Sequence, residues 1–563
     1  MTSNNKNLIL NIMAAGVMVY AVLLLFNIFY NAFDTAAYPN EYREAANVYM
    51  TKSIVEGKNI YSLDVLESEE PGLIYLYGPL ESIIAAIFVL LFRADMVLVH
   101  YMIAFIAMII GAGMMARMVR EHTSTYLPAA MAFLFTIYCN WRYGYIYAAP
   151  DALGLFLLIL FLFVLTRKDT NVAKPYIGAV VAILSFFTKQ YFAVIALTGF
   201  LYFLFLKKKD LIRYTLSGII ISAIAFVVIN IRYPLYWTYN LYFLKGPGAG
   251  LPSGDVAGTA HNISQVKYIV ALFFVLFLAA FLHIIIILYR IIRKEINISI
   301  SLKDENIPFI RVSGDEHFCF EILFYIQMLV AAAILYYIGN NSGAFISYYL
   351  QLFVPALIVV GVVSADNISI DEKYLSNSLK FYIIITLNVL MCVYTIMRAE
   401  PRLIVTKMAD IDRAYWNSLY ECIAEYEHDE VYYNPLGVYP VIETDKYIYN
   451  TGMPFVISER FLDKYNESKF SQKLFPYAGQ VMQQHLQYRE KVRKKVLDGD
   501  YEMIMYMDDM DTLFSRHDMA GRYERIMEMP MKAGSWSWDM MIYLRKGDDT
   551  LDDIVEIVNE IDY

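Results

Sequence analysis

The feature that most constrains this chain is a series of long apolar runs in its first two thirds. A helix that crosses the hydrocarbon core of a bilayer needs about 20 mostly apolar residues. The long runs are 8–30, 97–118, 150–166, 175–190, 191–206, 212–231, 267–290, 319–338, 344–364 and 379–397, with shorter ones at 79–92 and 125–139. Of all residues, 58% are apolar and only 18% are charged. The sequence therefore predicts a mainly α-helical, polytopic transmembrane bundle with about 11–13 spans.

Basic residues predict how these spans are oriented. Lys and Arg collect in the cytoplasmic loops of membrane proteins, and three short segments are rich in them, at 166–174, 207–213 and 289–295. We expect these loops to face the cytoplasm. The first apolar run is long for a signal peptide and no small-residue cleavage pattern follows it, so we expect it to stay as an anchor.

The same orientation places several segments outside, but the number of apolar segments between two of them conflicts with this assignment. The outer segments are the first loop 31–78, residues 140–151 and 188–191, the long loop 232–266, residues 339–345 and everything after Met397. Three apolar segments separate the first two of these, although only an even number of crossings returns a chain to the same side. One of the three should not span, and the short candidates are 79–92 and 125–139.

The character of the chain changes near Arg398. The segments "DEVYYN", "KYIYNTG", "YEMIMYM" and "MMIYLRK" have the pattern of short strands, and residues 480–497 have that of a charged amphipathic helix. We therefore expect two domains. A transmembrane domain covers 1–397, and a soluble α/β domain covers 398–563 on the extracytoplasmic side.

Composition argues against several partners and cofactors. The net charge is −9 and there is no basic stripe, so a nucleic-acid partner is not expected, whereas membrane lipids are. The four cysteines have no paired spacing and no accompanying histidine, which argues against a disulfide framework or a zinc site. No metal-ligand cluster and no Gly-rich nucleotide loop is evident in the sequence.

The first outer loop contains a predicted amphipathic helix that begins at Asn40-Glu41 and ends near Gly57. Such a helix is expected to lie along the membrane surface. Two interpretations of Glu41 stay open: its carboxylate complements the helix dipole, or it performs chemistry at the bilayer boundary. One face would carry Tyr42, Ala45, Ala46 and Tyr49, while Arg43, Glu44, Asn47 and Lys52 would lie away from it.

Further polar groups collect on the predicted outer face. Asp151 follows Pro150 and suits the first turn of a span. Lys189 lies at the junction of two apolar runs, where an ammonium needs a partner or water. It would bind a lipid phosphate, or it would snorkel at a turn. The weaker candidates in the outer loops are Arg142, Arg232 and His261.

Five segments carry a resemblance to a known family. They are "NEYREAANVYMTKSIVEGKNIY" (40–61), "YGPL" (77–80), "PDAL" (150–153), "TKQ" (188–190) and "SYYLQLFVPAL" (347–357). In this order they resemble the GT-C superfamily of integral-membrane glycosyltransferases. Its members include protein O-mannosyltransferases, the aminoarabinose transferase of lipid A and bacterial oligosaccharyltransferases. The resemblance implies a GT-C type bundle with an external surface-helix loop.

The resemblance also implies a reaction. A hexose or pentose would pass from a polyprenyl-phosphate donor to an acceptor hydroxyl outside the cytoplasmic membrane. Glu41 would take the acceptor proton. Asp34 is the fallback, because relatives of the aminoarabinose-transferase type have Asp-Glu where this chain has Asn40-Glu41. Lys189, helped by Arg232, would stabilise the leaving phosphate.

The remaining implied roles concern the acceptor and the cavity. Asp151 would orient the acceptor or the surface helix, and the acceptor would be a lipid, a glycan or a protein. A divalent cation, Mg²⁺ or Mn²⁺, stays open as a cofactor because some relatives hold one between external carboxylates. The residues expected to bind substrate are Tyr77, Arg142, Gln190, His261 and Tyr348.

Two other functions compete with this one. A flippase or exporter of lipid-linked sugars would also have many spans and polar outer loops. Transporters tend to place ionisable groups near the bilayer midplane, whereas the notable charges here gather at span ends on one face, which favours an enzyme. A membrane-anchored sensor or scaffold would explain the C-terminal domain but not Lys189 and Asp151.

Overall fold

The protein is a multi-pass, mainly α-helical membrane protein. Within the described residues, five helices are long and apolar enough to cross a membrane, and shorter apolar helices of 10–17 residues accompany them. The computed structural model describes residues 3–34, 42–68, 71–142, 148–167, 172–243, 256–300, 310–313, 316–338, 346–367, 431–433, 457–507, 516–519, 521–533 and 536–547, and scattered residues between 379 and 390.

The first half of the bundle follows the predicted apolar runs closely. Its helices are α1 (Ser3–Asp34), α2 (Tyr42–Val55), α3 (Leu80–Phe92), α4 (Met96–Arg120), α5 (Leu127–Arg142), α6 (Asp151–Thr166), α7 (Lys174–Phe186), α8 (Val194–Leu206) and α9 (Lys208–Arg232). A short 3₁₀ helix, Gln190–Ala193, separates α7 from α8. The apolar stretch 175–206 is therefore interrupted once, between α7 and α8.

In the second half, two of the predicted apolar runs are each divided between two helices. The helices are α10 (Val256–Leu272), α11 (Phe274–Ile292), α12 (Glu316–Ile338), α13 (Ile346–Leu352) and α14 (Val354–Asn367). The run 267–290 is divided at Phe273, and the run 344–364 at Phe353. Pro355 explains the second break, because it has no N–H for the carbonyl of Gln351, four residues earlier. A short hairpin, β1 (Asn297–Ile300) and β2 (Ile310–Ser313), joins α11 to α12.

The candidate site lies at one end of this bundle, which we call the site face. It comprises residues 56–68, 71–79, 148–151, 187–193 and 233–243. Asp151 at the start of α6 contacts Lys189 just after α7, and α9 returns to the same end. The basic loops at 166–174, 207–213 and 289–295 join helices at the other end of the bundle, in agreement with the predicted division of the loops.

Helix α3 resolves the parity conflict, because both of its ends lie near the site face. Glu81 in its first turn contacts His100 Nδ1 at 2.5 Å, and His100 lies only four residues, or about 6 Å, along α4 from Met96. The last turn of α3 joins the same end of α4 through Arg93 and two more residues. Of the three apolar segments, 79–92 is therefore the one that does not cross.

The C-terminal part is an α/β unit. Its described helices are α15 (Glu459–Glu467), α16 (Lys469–Leu474), α17 (Ala478–Asp498) and α18 (Arg516–Met519), and its strands are β3 (Val431–Tyr433), β4 (Met503–Met507), β5 (Tyr523–Ala533) and β6 (Trp536–Arg545). The sheet order is β3-β4-β6-β5, with only β3 and β4 parallel. The predicted helix 480–497 and the strands in "DEVYYN", "YEMIMYM" and "MMIYLRK" are confirmed, whereas "KYIYNTG" lies outside the described residues.

The α/β unit packs on the site face. The ring of Tyr242, after α9, stacks on Phe461 of α15 with 5.1 Å between ring centroids. Gln484 of α17 donates to the carbonyls of Val65 and Ser68 in the first loop, at 2.9 Å each. The C-terminal unit therefore covers the first loop on the same side of the bundle as the candidate site.

Candidate active site

A buried ion pair is the centre of the site. Lys189 Nζ lies 2.8 Å from both carboxylate oxygens of Asp151, and each side chain is only 2% exposed. Asp151 begins α6 directly after Pro150. Lys189 has an extended backbone between α7 and the following 3₁₀ helix, which turns its side chain back toward α6. Because both groups are buried, removing either one would leave the other as an unpaired charge in the interior, which is strongly destabilising.

Two further side chains, Gln351 and Tyr191, contact the Asp151 carboxylate. Gln351 Nε2 donates to Asp151 Oδ1 at 2.6 Å, and the Tyr191 hydroxyl lies 3.5 Å from the same oxygen. Tyr191 also donates to Gln351 Oε1. The carboxylate is held by an ammonium, an amide and a phenol, which fixes its orientation.

Aromatic rings form the walls around the ammonium. Lys189 Nζ lies 4.6 Å from the centroid of the Tyr77 ring and 5.5 Å from that of Tyr191. The ring of Tyr348 packs against Tyr191 with 4.9 Å between centroids. Cation–π contacts of this kind stabilise a desolvated cation. The resulting surface combines a buried positive charge with apolar ring faces.

Gln190 and Gly78 bring the first loop down onto this pair. Gln190 Nε2 donates to the carbonyl of Leu76 at 2.6 Å and to Asn240 at 3.0 Å. Gly78 N donates to the carbonyl of Thr188 at 3.1 Å, and a β-carbon on Gly78 would lie 2.0 Å from the backbone oxygen of Phe187. The glycine of "YGPL" is therefore required by close backbone contact.

Helix α2 clamps the segment that leads to Asp151. Glu44 Oε1 accepts hydrogen bonds from Ala148 N at 3.0 Å and from the Tyr101 hydroxyl at 2.9 Å. Asn47 Nδ2 donates to the carbonyl of Ala148 at 2.7 Å, and its Oδ1 accepts from Tyr75. The expectation that Glu44 and Asn47 lie away from the packed face of α2 is wrong, because both are buried against the bundle.

A second buried polar chain fixes α2 against α3 and α4. The Thr51 hydroxyl lies 2.8 Å from His100 Nε2, and His100 Nδ1 contacts Glu81. All three side chains are buried. Burial, with a smaller contribution from the Glu81 charge, raises the pKa of the Tyr75 hydroxyl well above its usual value. Tyr75 therefore stays a neutral donor to Asn47 across the physiological pH range.

The structure brings together five of the sequence candidates and leaves others apart. Asp151, Lys189, Tyr77, Gln190 and Tyr348 form one cluster. Arg232 ends α9 with an exposed side chain, and its carbonyl accepts a hydrogen bond from Asn59. Glu41 lies outside the described residues. Asp34, Arg142 and His261 lie in α1, α5 and α10, and their side chains are also outside the description.

Sequence reasoning missed the residues that hold the cluster in place. Gln351 lies inside the quoted motif "SYYLQLFVPAL", so the signal was present as a polar residue in an apolar segment. Glu81 was similarly visible as an acid directly after "YGPL". Glu44 and Asn47 gave no such signal, since polar residues on a surface helix usually face water.

The described residues do not fit a divalent cation at Asp151. Its carboxylate already carries the Lys189 ammonium, a positive charge that would repel a metal ion. Among the residues that the structure describes, no group of three or more His, Cys, Asp or Glu side chains could hold a metal ion. The other predicted outer carboxylates, at positions 34 and 41, have side chains outside that description.

Among known proteins, the chain is similar only in fold, and only to solved structures. No family model and no curated protein matches the chain. Two matches among solved structures are the apo Archaeoglobus fulgidus oligosaccharyltransferase (14% identity, 91% of this chain and 73% of that chain, TM-score 0.47) and AglB from the same organism, in complex with an inhibitory peptide and a dolichol-phosphate (12% identity, 95% and 74%, TM-score 0.47).

A third solved structure covers nearly the whole of both chains. It is ArnT from Cupriavidus metallidurans bound to undecaprenyl phosphate, with 12% identity over 94% of this chain and 98% of that chain and a TM-score of 0.51. Because the identity is so low, the likeness concerns the fold alone. The protein therefore has the fold of the ArnT structure, which confirms the predicted GT-C type bundle with its C-terminal α/β unit.

Proposed function

We propose that the protein is a membrane glycosyltransferase that moves a hexose or pentose from a polyprenyl-phosphate donor to an acceptor hydroxyl at the outer face of the cytoplasmic membrane. The fold supports this proposal, since the ArnT structure was solved with undecaprenyl phosphate. The basic loops lie opposite the site face, and cytoplasmic loops collect such residues. The site face, with its C-terminal unit, is then extracytoplasmic.

The observation that carries the proposal is the buried Lys189–Asp151 pair between the Tyr77 and Tyr191 rings. A polyprenyl phosphate needs a cation for its phosphate and apolar surface for its tail. An ammonium has three N–H donors, and two of those of Lys189 point to Asp151. The third is the donor that we assign to the phosphate of the substrate.

The proposed reaction is a displacement at the anomeric carbon. Glu41 takes the proton of the acceptor hydroxyl while its oxygen forms the new glycosidic bond. The bond between the anomeric carbon and the phosphate oxygen breaks, and its electron pair leaves with the lipid phosphate. Lys189 stabilises that growing charge, while Asp151 holds Lys189 in position. Arg232 is not assigned this role, because its exposed side chain lies apart from the cluster.

The first experiment compares Glu41→Gln with a matched acid from the same loop. Purified protein in nanodiscs is incubated with radiolabelled polyprenyl-phosphate sugars and a membrane extract. We expect wild type and Glu67→Gln to transfer label, because Glu67 is an exposed carboxylate, and Glu41→Gln to lose at least 100-fold in rate, the usual contribution of a general base.

Two outcomes would contradict the proposal. Equal rates for Glu41→Gln and Glu67→Gln would remove Glu41 from the reaction. If no donor in the panel gives transfer while labelled donor crosses sealed proteoliposomes, the protein is a transporter of lipid-linked sugars instead.

A further inference from the structure

A polar groove lies between helix α17 and the first outer loop. Its cavity has a volume of about 340 Å³. One wall is α17, and the other is the loop around Leu66 and Ser68. The residues that line it from α17 are Gln480, Gln483, Gln484, Gln487, Tyr488 and Lys491. Four of these six side chains are neutral amides, and none is acidic.

The two walls of the groove are fixed to each other by direct hydrogen bonds. Gln484 Nε2 donates to the carbonyls of Val65 and Ser68, at 2.9 Å each. The neighbouring His485 is buried and hydrogen bonds with the backbone of Gly72. The groove therefore exists before any ligand enters it, and a preformed site loses less entropy on binding than a flexible one.

The composition of the groove differs from the rest of the helix surface. An exposed helix face usually mixes acidic and basic residues, as α17 does at the exposed Glu490 and Arg493, which do not line the groove. On the groove side, Gln480, Gln483 and Gln487 are exposed amides. A Gln amide offers one carbonyl acceptor and two N–H donors, which pair with hydroxyl groups that both donate and accept.

The position of the groove connects it to the candidate active site. The segment from Gly72, beneath His485, to Tyr77, beside Lys189, is five residues long and spans no more than about 18 Å. It is held at its far end by Gln190, which donates to Leu76. The groove and the ion pair are therefore linked by one short, buried segment of the first loop.

From these observations we propose that the groove binds a neutral oligosaccharide. The amides would bond its hydroxyls and Tyr488 would pack against a sugar ring face. A lipid headgroup or an acidic polymer fits less well, because Lys491 is the one charged side chain among the lining residues. The role of the groove as the acceptor site rests on the proposed glycosyltransferase function, whereas the binding of an oligosaccharide does not.

The test uses full-length protein in nanodiscs and three probes: maltotetraose, chitotetraose and mannotetraose. Saturation-transfer NMR detects binding without donor or turnover. We expect wild type to bind at least one probe and the Gln483→Ala/Gln487→Ala variant to lose at least five-fold in affinity. Both glutamines are exposed, and Ala favours a helix more than Gln does, so the variant should fold. The matched control is Glu490→Ala/Arg493→Ala, which should bind as wild type does.

The outcomes separate this inference from the proposed function. No binding of any probe by wild type, or equal binding by the Gln483→Ala/Gln487→Ala variant, overturns the groove as a saccharide site even if sugar transfer is found. Binding lost in that variant, without any transfer by wild type, supports the groove and contradicts the enzyme. If transfer occurs, the variant should raise the acceptor KM about ten-fold while kcat and the donor KM stay unchanged.

Discussion

At the scale of single residues, the Lys189–Asp151 pair organises the site, and it supplies the partner that Lys189 needs between two apolar runs. An ammonium between two apolar runs needs a partner, and the partner is a carboxylate 38 residues earlier in the chain. Sequence patterns identified both residues but assigned them separate roles, since nothing in a single sequence shows which distant charges meet. Gln351 gave a signal as a polar residue in an apolar segment, but neither Gln351 nor Tyr191 could be assigned to Asp151 from the sequence for the same reason.

We predict that Lys189→Met destabilises the protein by about 3–5 kcal/mol, because Asp151 would remain buried as an unpaired charge. Denaturant unfolding in detergent micelles measures the effect. Adding Asp151→Asn to the same chain removes that charge and should recover at least half of the loss. The matched control is Lys58→Met, whose side chain is 68% exposed beside Glu56; we expect a change below about 1 kcal/mol. A double variant as unstable as the single one would contradict the argument.

At the scale of helices and strands, periodicity predicted most elements, and the failures have definite causes. Helix α2 was predicted from its amphipathic pattern, yet its polar residues Glu44 and Asn47 face the bundle. Tertiary hydrogen bonds to Ala148 override the usual preference of such residues for water. Helix α3 is apolar enough to suggest a span, and only its contacts at both ends show that it stays near one face.

The contact between α17 and the first loop should weaken in acid. Burial lowers the pKa of His485 from 6.5 to about 3, so the folded state holds this ring neutral. Its contribution is complete above pH 6.5 and is lost as the pH falls from 6.5 toward 3, because the unfolded state binds the extra proton. The loss is about 1.4 kcal/mol per pH unit for one group within that window.

Hydrogen exchange of peptides from α17 and residues 57–77 at pH 7.5 and 5.5 tests this. Wild type should lose protection at pH 5.5, after correction for intrinsic exchange. His485→Gln keeps a donor for Gly72 but does not titrate, so its protection should not change with pH. His517→Gln, at an exposed position, should behave as wild type. Acid sensitivity that persists in His485→Gln would assign the effect to another group.

At the scale of the whole molecule, the alternating helices divide the loops into two sets. The sequence predicted this division from the basic loops alone. The boundary at residue 398 and the number of spans stay predictions, because most of residues 368–456 lie outside the description. The sequence also predicted which bundle segments share the site face, but not how the C-terminal unit packs against them, because those contacts join residues that are distant in the chain.

Cysteine labelling in intact cells tests the sidedness. In a variant without the four native cysteines, we expect a membrane-impermeant maleimide to label Lys58→Cys and Gln487→Cys. Lys209→Cys and Arg293→Cys, which are also exposed but lie at the opposite end, should be labelled only after the membrane is permeabilised. Labelling of Lys209→Cys in intact cells would invert the proposed orientation.

The hydrogen bonds that complete the site face also set the order in which it can be made. Asn47 and its partner Ala148 are 101 residues apart in the chain, and Val65 and its partner Gln484 are 419 residues apart. At a synthesis rate of about 5–20 residues per second, the second interval is roughly 20 to 80 s. During that time helices α3 to α14 are still being synthesised, and the first loop has no C-terminal cover. The enclosed site is therefore a late product of biosynthesis, and a nascent chain that stops before α17 would hold the Lys189–Asp151 pair beneath an open loop.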